Sequence, residues 1–268
     1  MSKSKAFAGG LMLAETDGPV GTIVFNQPEK HNAVSVEMWI GLGEIIAEME
    51  ADPAIRVVVL RGAGEKAFVS GADISQFDKT RDNAEVAAQH ARRTTAGREA
   101  IQRCSKPTIA AIRGYCLGGG LRIALQADIR IAAADSQFGV PAARLGIAYN
   151  FDGLRALVDA VGPAHARMIM FSANRIDAAE AARIGLINRA VPGDALWSEV
   201  ATLAARIASN APISIAASKA GIDMSLRDPD QRDFALLEEF QRRSLDSADY
   251  REGRAAFKEK RQPVFTGK

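Results

Sequence analysis

The sequence is poor in the residues that build metal centres and disulfide frameworks. Of its 268 residues only two are cysteine, Cys104 and Cys116, and three are histidine, His31, His90 and His165. These five positions are scattered and match no zinc-ligand spacing, and no Cys/His pair suggests a nucleophile with its base. The sequence therefore predicts no metal site. It favours two buried thiols in a cytoplasmic protein over a single disulfide.

An excess of charge of one sign is also lacking, since 34 Lys and Arg residues face 32 Asp and Glu residues, a net of +2. A surface that follows nucleic-acid phosphates needs a clear local excess of cations, so no nucleic-acid partner is expected. The best basic stretch consists of Arg92, Arg93, Arg98 and Arg103. We interpret it as a solvated helix face rather than as an RNA site.

Long hydrophobic runs are absent as well, because charged residues interrupt every apolar stretch before it reaches the roughly 18 residues of a membrane span. The segment after Lys3 and Lys5 faintly resembles a signal peptide, but its apolar part is short and soon reaches Glu15. We expect no membrane partner and a cytoplasmic location. The 47% content of hydrophobic residues can supply the large core of a globular protein of about one or two domains.

The chain does contain a regular alternation of strands and helices. A hairpin is predicted for residues 11–15 and 21–26, followed by a helix that Ser35 caps. The run Val57-Val58-Val59 is typical of a strand buried on both faces of a parallel sheet. Strands are predicted at residues 56–61, 107–112 and 128–132, with helices at residues 83–104 and 119–126. This order indicates an α/β fold.

Strand patterns end near residue 192, and the rest of the chain is predicted to be helical. Asp194 is expected to cap the first helix of this part, and three more helices are predicted at residues 212–225, 229–243 and 247–261. We therefore divide the chain into a core of residues 1–192 and a helical region of residues 193–268. That region folds back on the core or packs on a neighbouring subunit.

Two glycine-rich segments are candidates for chemistry. Residues 66–74 (KAFVSGADI) and 114–122 (GYCLGGGLR) each follow a predicted strand and precede a predicted helix. Because helix N-termini present unpaired N–H groups and glycine allows close approach, each segment can donate a backbone N–H to an oxyanion. The alternative for residues 118–120 is tight packing of strand on helix. A dinucleotide site is not indicated, since Ala67 replaces the third glycine of that fingerprint.

With these segments in place, the sequence resembles the crotonase superfamily, the enoyl-CoA hydratase/isomerase family. The resemblance covers nearly the whole chain, through ordered motifs at residues 26–33 (NQPEKHNA), 71–74 (GADI), 118–120 (GGG), 178–191, 252–257 and 259–261. It implies a crotonase-like β-β-α superhelix with a C-terminal helical trimerisation region. It also implies an acyl-CoA substrate and a homotrimer or dimer of trimers. Coenzyme A would enter as part of the substrate, with no separate cofactor.

The resemblance implies which residues form the site. By position, the N–H groups of Ala72 and Gly119 would hold the thioester oxygen as an enolate forms, each contributing about 3 to 4 kcal/mol. Asp73 is predicted to cap the helix that follows. Contacts with coenzyme A are expected from the loop of residues 26–33, from the backbone of residues 67–72 and from the last helix. The residues assigned to these contacts are Lys30, Ala33, Ala67, Gly71 and Lys260.

Two residues depart from the hydratase pattern. Hydratases of this family carry one glutamate three residues after the oxyanion glycine and another just after a Phe-Gly-x-Pro segment, and here these places hold Arg122 and Ala142. Neither a guanidinium nor an alanine can hold water and deliver a proton, so ordinary two-glutamate hydration is not expected. Arg122 is interpreted as the partner of a substrate carboxylate or of Asp152, or as a solvent-facing side chain.

The loop after the Phe-Gly-x-Pro segment is expected to supply the reaction-specific group. Asn150 stands where certain dienoyl-CoA isomerases and a dehalogenase carry an aspartate. The string Tyr149-Asn150-x-x-Gly153 resembles methylmalonyl-CoA decarboxylases, although those carry His at the position of Ala72 and an acid at that of Arg122. Decarboxylation suits a site without a base, because the enolate forms by loss of CO2.

Two further side chains of this loop have two interpretations each. Asp152 is either a base or a turn residue before Gly153, and Tyr149 lies either beside the substrate or in the core. The sequence as a whole predicts an acyl-CoA lyase of the family, decarboxylase-like or an atypical hydratase/isomerase. The alternative is a non-catalytic family member that binds CoA thioesters.

Overall fold

The computed structural model describes residues 3–73 and 84–268, and within these ranges the chain forms 11 strands and nine helices. The strands are β1 (Lys3–Phe7), β2 (Met12–Asp17), β3 (Val20–Phe25), β4 (Val57–Gly62), β5 (Ala67–Val69), β6 (Thr108–Ile112), β7 (Tyr115–Leu117), β8 (Ile129–Ala133), β9 (Gln137–Gly139), β10 (Ile176–Asp177) and β11 (Arg189–Val191). The helices are α1 (Val36–Ala51), α2 (Ala84–Arg103), α3 (Gly119–Gln126), α4 (Phe151–Ser172), α5 (Ala178–Arg183), α6 (Leu196–Ala208), α7 (Pro212–Ser225), α8 (Phe234–Asp246) and α9 (Ala248–Glu259).

The strands form two sheets joined by a repeated path. A seven-stranded sheet has the order β1-β2-β3-β4-β6-β8-β11, parallel from β3 onward, and a four-stranded sheet has the order β10-β9-β7-β5. In the unit β6-β7-α3 the chain adds a strand to the large sheet, then one to the small sheet, and returns through a helix to β8 of the large sheet. The unit β8-β9-α4 repeats this path, except that the chain then passes through β10 of the small sheet and α5 before it reaches β11 of the large sheet. This path is the β-β-α superhelix expected from the sequence.

The main core lies between the two sheets and the helices. Helix α1 begins after Ser35, whose hydroxyl accepts a hydrogen bond from the Met38 N–H, as the sequence predicts. Its apolar stripe is buried, and it contains Trp39, Leu42, Ile45, Ile46 and Met49. A second apolar cluster joins the other face of the large sheet to α6, so this part of the helical region packs on the core. The division at residue 192 stays a prediction.

Several elements differ from the sequence-based prediction. The small sheet and the edge strand β1 were not predicted, because strands of two or three residues, or with mostly exposed side chains, give no alternating pattern. Helix α4 was not predicted either. Asp194 does not cap α6, since Ala195 precedes the helix without a side-chain bond. The segment predicted as one helix at 229–243 forms a short 3-10 turn and then α8. The helix expected after Asp73 lies outside the described residues.

The two thiols are buried and unpaired, as predicted. Burial raises the pKa of the Cys104 thiol to about 12, together with the hydrogen bond that this thiol donates to Glu50. Burial also raises the pKa of Cys116. Both groups are therefore held in the unreactive protonated form.

The described helices include none that is long and apolar enough by itself to cross a membrane. Only α6 and α7 counted together reach the limits of length and composition, and they meet at a bend of 106°. In the basic stretch, the Arg98 guanidinium lies over the Trp39 ring and Arg103 pairs with Glu99, so these two cations make contacts within the protein. The side chains of Arg92 and Arg93 lie outside the described residues.

Candidate active site

The loop of residues 26–33 is held by one buried asparagine. The Asn32 side chain accepts a hydrogen bond from the Gln27 N–H at 3.0 Å and donates to the carbonyl oxygens of Ala63 at 3.0 Å and Ala67 at 2.7 Å. The bond to Gln27 closes the loop on itself, and the other two bonds fix the loop to the region of β4 and β5. The chain therefore leaves the loop at Val34 in a defined position beside the segment that follows β5.

The first predicted oxyanion donor, Ala72, pairs with Val34 through a single parallel bridge. Val34 donates to the Gly71 carbonyl at 2.8 Å and accepts from the Asp73 N–H at 3.0 Å. In a parallel bridge, the residue that lies between the two hydrogen-bonded positions, here Ala72, directs its own N–H away from the partner segment. The Ala72 N–H therefore points away from Val34, and among the described residues it has no acceptor.

The second predicted donor, Gly119, is the first residue of α3. It follows Gly118, whose φ of +51° and ψ of −112° suit glycine and turn the chain sharply from β7 into the helix. A Cβ atom built on Gly119 would lie 3.5 Å from the Ala72 nitrogen, and one built on Gly71 would lie 4.0 Å from the Gly119 nitrogen. The structure thus brings the two predicted donors together, and the first-turn N–H of α3 is unpaired in the described part of the chain.

The third glycine of the triplet has a different role. A Cβ on Gly120 would lie 2.0 Å from the Val69 carbonyl oxygen, a distance that no real side chain tolerates. Gly120 therefore allows α3 to pack directly on β5. The packing interpretation of the triplet therefore holds for Gly120, whereas the assignment of Gly119 as an oxyanion donor stays a prediction.

Arg122 lies one turn into α3 and is partly buried. Its Nη1 donates to the Asn150 Oδ1 at 3.2 Å, and the same oxygen accepts the Gly153 N–H at 3.3 Å, which makes Asn150 the N-cap of α4. Of the partners considered for Arg122, Asp152 forms no ion pair with it within 4.0 Å in the described structure. Asp152 is exposed in the first turn of α4, where its charge suits the helix dipole rather than a turn, and its assignment as a base stays a prediction.

Tyr149 is half-buried and packs against the main core. A Cβ on Gly153 would lie 3.1 Å from the Tyr149 ring, so this glycine provides the space for the ring. The string Tyr149-Asn150-x-x-Gly153 is therefore accounted for by a helix cap and a ring contact. It does not by itself indicate a particular reaction.

Comparison with known proteins decides the family. The model of the enoyl-CoA hydratase/isomerase family matches residues 15–268. A short-chain-enoyl-CoA hydratase of Clostridium acetobutylicum is 34% identical over 94% of this chain and 95% of its own length, and a crotonyl-CoA hydratase of Syntrophomonas wolfei is 32% identical over 96% and 98%. The chain belongs to the enoyl-CoA hydratase/isomerase family. The crystal structure of an enoyl-CoA hydratase/carnitine racemase from Magnetospirillum magneticum has the same fold, with a TM-score of 0.92 and 41% identity over 96% of both chains.

As a member of this family, the protein has the crotonase fold and is an acyl-CoA enzyme. The segment that carries Ala142 lies next to the glycine triplet, because the Pro141 ring is 3.8 Å from a Cβ built on Gly118, and the Gly118 N–H donates to the Gly139 carbonyl. Ala142 itself is buried and has no polar atom in its side chain. Together with Arg122, it leaves both positions of the expected glutamate pair without a carboxylate.

The residues assigned to coenzyme A contacts differ in exposure and in the bonds they already form. Lys30 is half-exposed and pairs with the buried carboxylate of Asp73 at 3.0 Å. Ala33 and Gly71 are part of the two segments joined by the Val34 bridge. Ala67 is buried in β5, and its carbonyl is already bonded to Asn32. These assignments stay predictions. So does that of Lys260, which ends α9 in a left-handed conformation and is exposed.

One positioning residue was missed in the sequence. The partly buried Arg130 donates to the carbonyl oxygens of Ala127 at 2.6 Å and Leu186 at 2.9 Å, and so fixes the C-terminal end of the helix that carries Gly119. The sequence did contain a signal for this role, namely an arginine within a strand that is otherwise apolar. A charged side chain is taken out of water only where its N–H groups find hydrogen-bond acceptors.

Proposed function

We propose that the protein stabilises the enolate of an acyl-CoA thioester in an oxyanion hole formed by the N–H groups of Ala72 and Gly119. The observation that carries this proposal is the approach of two backbone donors that have no acceptor in the described part of the chain. One N–H is directed by the Val34 bridge, and the other belongs to the first turn of a helix. Donors held in this way need no rearrangement as negative charge develops on the thioester oxygen.

The reaction that fits this site best is loss of CO2 from the acyl group. The bond between the α-carbon and the carboxylate breaks, its electron pair forms the enolate, and neutral CO2 leaves. Water or a weak acid then protonates the α-carbon and restores the thioester. No step needs the paired carboxylates that hydration requires, and Arg122 and Ala142 cannot replace those carboxylates.

An atypical hydratase or isomerase is the second candidate. It is favoured by the activities for which similar proteins are named, which include short-chain-enoyl-CoA hydratase and crotonyl-CoA hydratase. In this case water would have to be held by groups other than the missing glutamates, such as the amide of Asn150.

An assay with two substrates distinguishes these reactions. We expect the purified protein to convert methylmalonyl-CoA into propionyl-CoA, detected as a loss of the mass of CO2, and to leave crotonyl-CoA unchanged. Hydration of crotonyl-CoA at an ordinary enzymatic rate, about 1–1000 per second, would contradict the argument from the missing glutamates. Binding of many acyl-CoA thioesters without any turnover would instead show a non-catalytic CoA-binding protein.

We further propose that the chain forms a homotrimer or a dimer of trimers. Large apolar side chains that are more than half exposed lie on α4, α8 and α9, which is unusual for a monomer; they include Phe151, Met168, Phe171, Phe234 and Phe257. Light scattering after gel filtration should give about three or six times the chain mass of 28.6 kDa. A single-chain mass at micromolar concentration would contradict the proposal.

The two free thiols fit a reducing compartment, and we propose that the protein is located in the cytoplasm.

A further inference from the structure

The guanidinium of Arg122 carries a positive charge that no acid in the described structure neutralises. Its hydrogen bond goes to the neutral amide oxygen of Asn150, and no described carboxylate lies within 4.0 Å of it. Partial burial makes an isolated charge costly unless an anion or water satisfies the remaining donors. One neutral hydrogen bond orients the guanidinium and leaves its charge available.

The surroundings of Arg122 also favour an anion. The side chain follows the N-terminus of α3 by one turn, and the Asn150 oxygen that it contacts caps the N-terminus of α4. Both helix ends contribute partial positive charge beside the guanidinium. The Asn150 oxygen is occupied by Arg122 and Gly153, so its amide nitrogen remains as a second donor.

Arg122 follows the proposed donor Gly119 by about one helical turn. It lies three residues after Gly119 on the same helix, so the two residues share a helix face. A thioester oxygen bound at the Gly119 N–H therefore places the first carbons of the acyl group beside this face. A carboxylate on those carbons would meet the guanidinium in the paired geometry that arginine forms with carboxylates.

We propose that Arg122 and Asn150 form a binding site for a carboxylate on the acyl group, so that the substrates are CoA monothioesters of dicarboxylic acids. This inference rests on the proposed function of the same site. It assigns Arg122 to specificity and gives Asn150 a second role: it orients Arg122 without neutralising it. In the decarboxylation reaction the ion pair is present in the bound substrate and is lost as neutral CO2 forms, so removing Arg122 should raise KM without lowering kcat.

The test compares matched thioesters on three variants. Malonyl-CoA and isovaleryl-CoA differ in a terminal carboxylate against an isopropyl group of similar shape, as do succinyl-CoA and 4-methylpentanoyl-CoA. Dissociation constants are measured by surface plasmon resonance under continuous flow, in which turnover does not deplete the ligand. The variants are Arg122→Met and Asn150→Asp, with Arg144→Met as control because Arg144 forms an exposed hydrogen bond of the same kind with Asn174.

We expect the wild type to bind at least one carboxylated thioester about 10- to 100-fold more tightly than its uncharged match, as a charge-assisted pair would produce. Arg122→Met should abolish this preference and leave the uncharged thioesters unaffected. Asn150→Asp should abolish it as well, because aspartate keeps the helix cap but neutralises Arg122. Arg144→Met should keep the preference.

Three other results would contradict the inference. If Arg122 and Asn150 only brace the fold, Asn150→Asp strengthens their contact and selectivity does not change, which overturns the inference. A wild type that binds both classes equally overturns the inference and leaves the oxyanion proposal standing. A wild type that binds no thioester overturns both. Thermal melting of each variant shows that the folded protein is being compared.

Discussion

Replacing Gly119 with proline will reduce turnover by about 100- to 1000-fold, since the substitution removes one of the two proposed N–H donors to the thioester oxygen. Proline is accepted at the first position of a helix, where the N–H has no partner within the helix, so α3 should still form. The measurement is kcat with the substrate identified in the mass assay. A circular dichroism melt records whether the variant is folded.

The matched control for this prediction is Gly119→Ala, which keeps the N–H. Its added methyl group would lie 3.5 Å from the Ala72 nitrogen, an ordinary contact distance, so the variant should fold and lose less activity than the proline variant. Full activity in Gly119→Pro would refute the assignment of this donor. Equal losses in both variants would show that crowding, rather than the missing N–H, lowers the rate.

Replacing the next residue, Gly120, with alanine will destabilise the protein by about 3 kcal/mol, an effect on folding rather than on chemistry. The new Cβ would lie 2.0 Å from the Val69 carbonyl oxygen, so α3 and β5 have to move apart. Because both atoms belong to the backbone or are attached directly to it, no rotamer change relieves the contact. The free energy of unfolding, measured by urea denaturation, is the appropriate observable.

Gly119→Ala again provides the comparison, since it makes the same chemical change one residue earlier at a position with room for a methyl group. Its free energy of unfolding should stay within about 1 kcal/mol of the wild type, as alanine also favours the helix. A Gly120→Ala variant as stable as Gly119→Ala would mean that the packing of α3 on β5 is looser than the structure indicates.

Elements with a long repeating pattern could be predicted from the sequence. Helix α1 has five apolar residues at helical spacing and a serine cap, and α3 begins and ends where the glycine triplet and the apolar spacing indicate. The small sheet could not be predicted, because β5, β7 and β9 have only three residues each and are defined by hydrogen bonds to one another. Their pairing is a tertiary property.

The candidate site, like the fold, could be predicted from the sequence only in part. Ala72 and Gly119 were found through motifs, and their approach follows from the family resemblance. The partner of Arg122 could not be found, because Asn150 is 28 residues away and reaches it only through the cap of α4, a helix that the sequence did not indicate. The sequence indicated Asp152 as a candidate base because it is the acid of its loop. In the structure its side chain is exposed in the first turn of α4.

The bridge between Val34 and Ala72 has a consequence for how the site tolerates mutation. Both proposed donors are main-chain groups, so the chemistry at the oxygen does not depend on which side chain occupies position 72. It depends on the one parallel bridge between Val34 and Ala72 and on the first turn of α3. Side chains around the hole, including those at positions 122 and 142, can therefore change without dismantling it. A scaffold of this kind would allow new reactions to arise by substitution of the side chains around the proposed anion site.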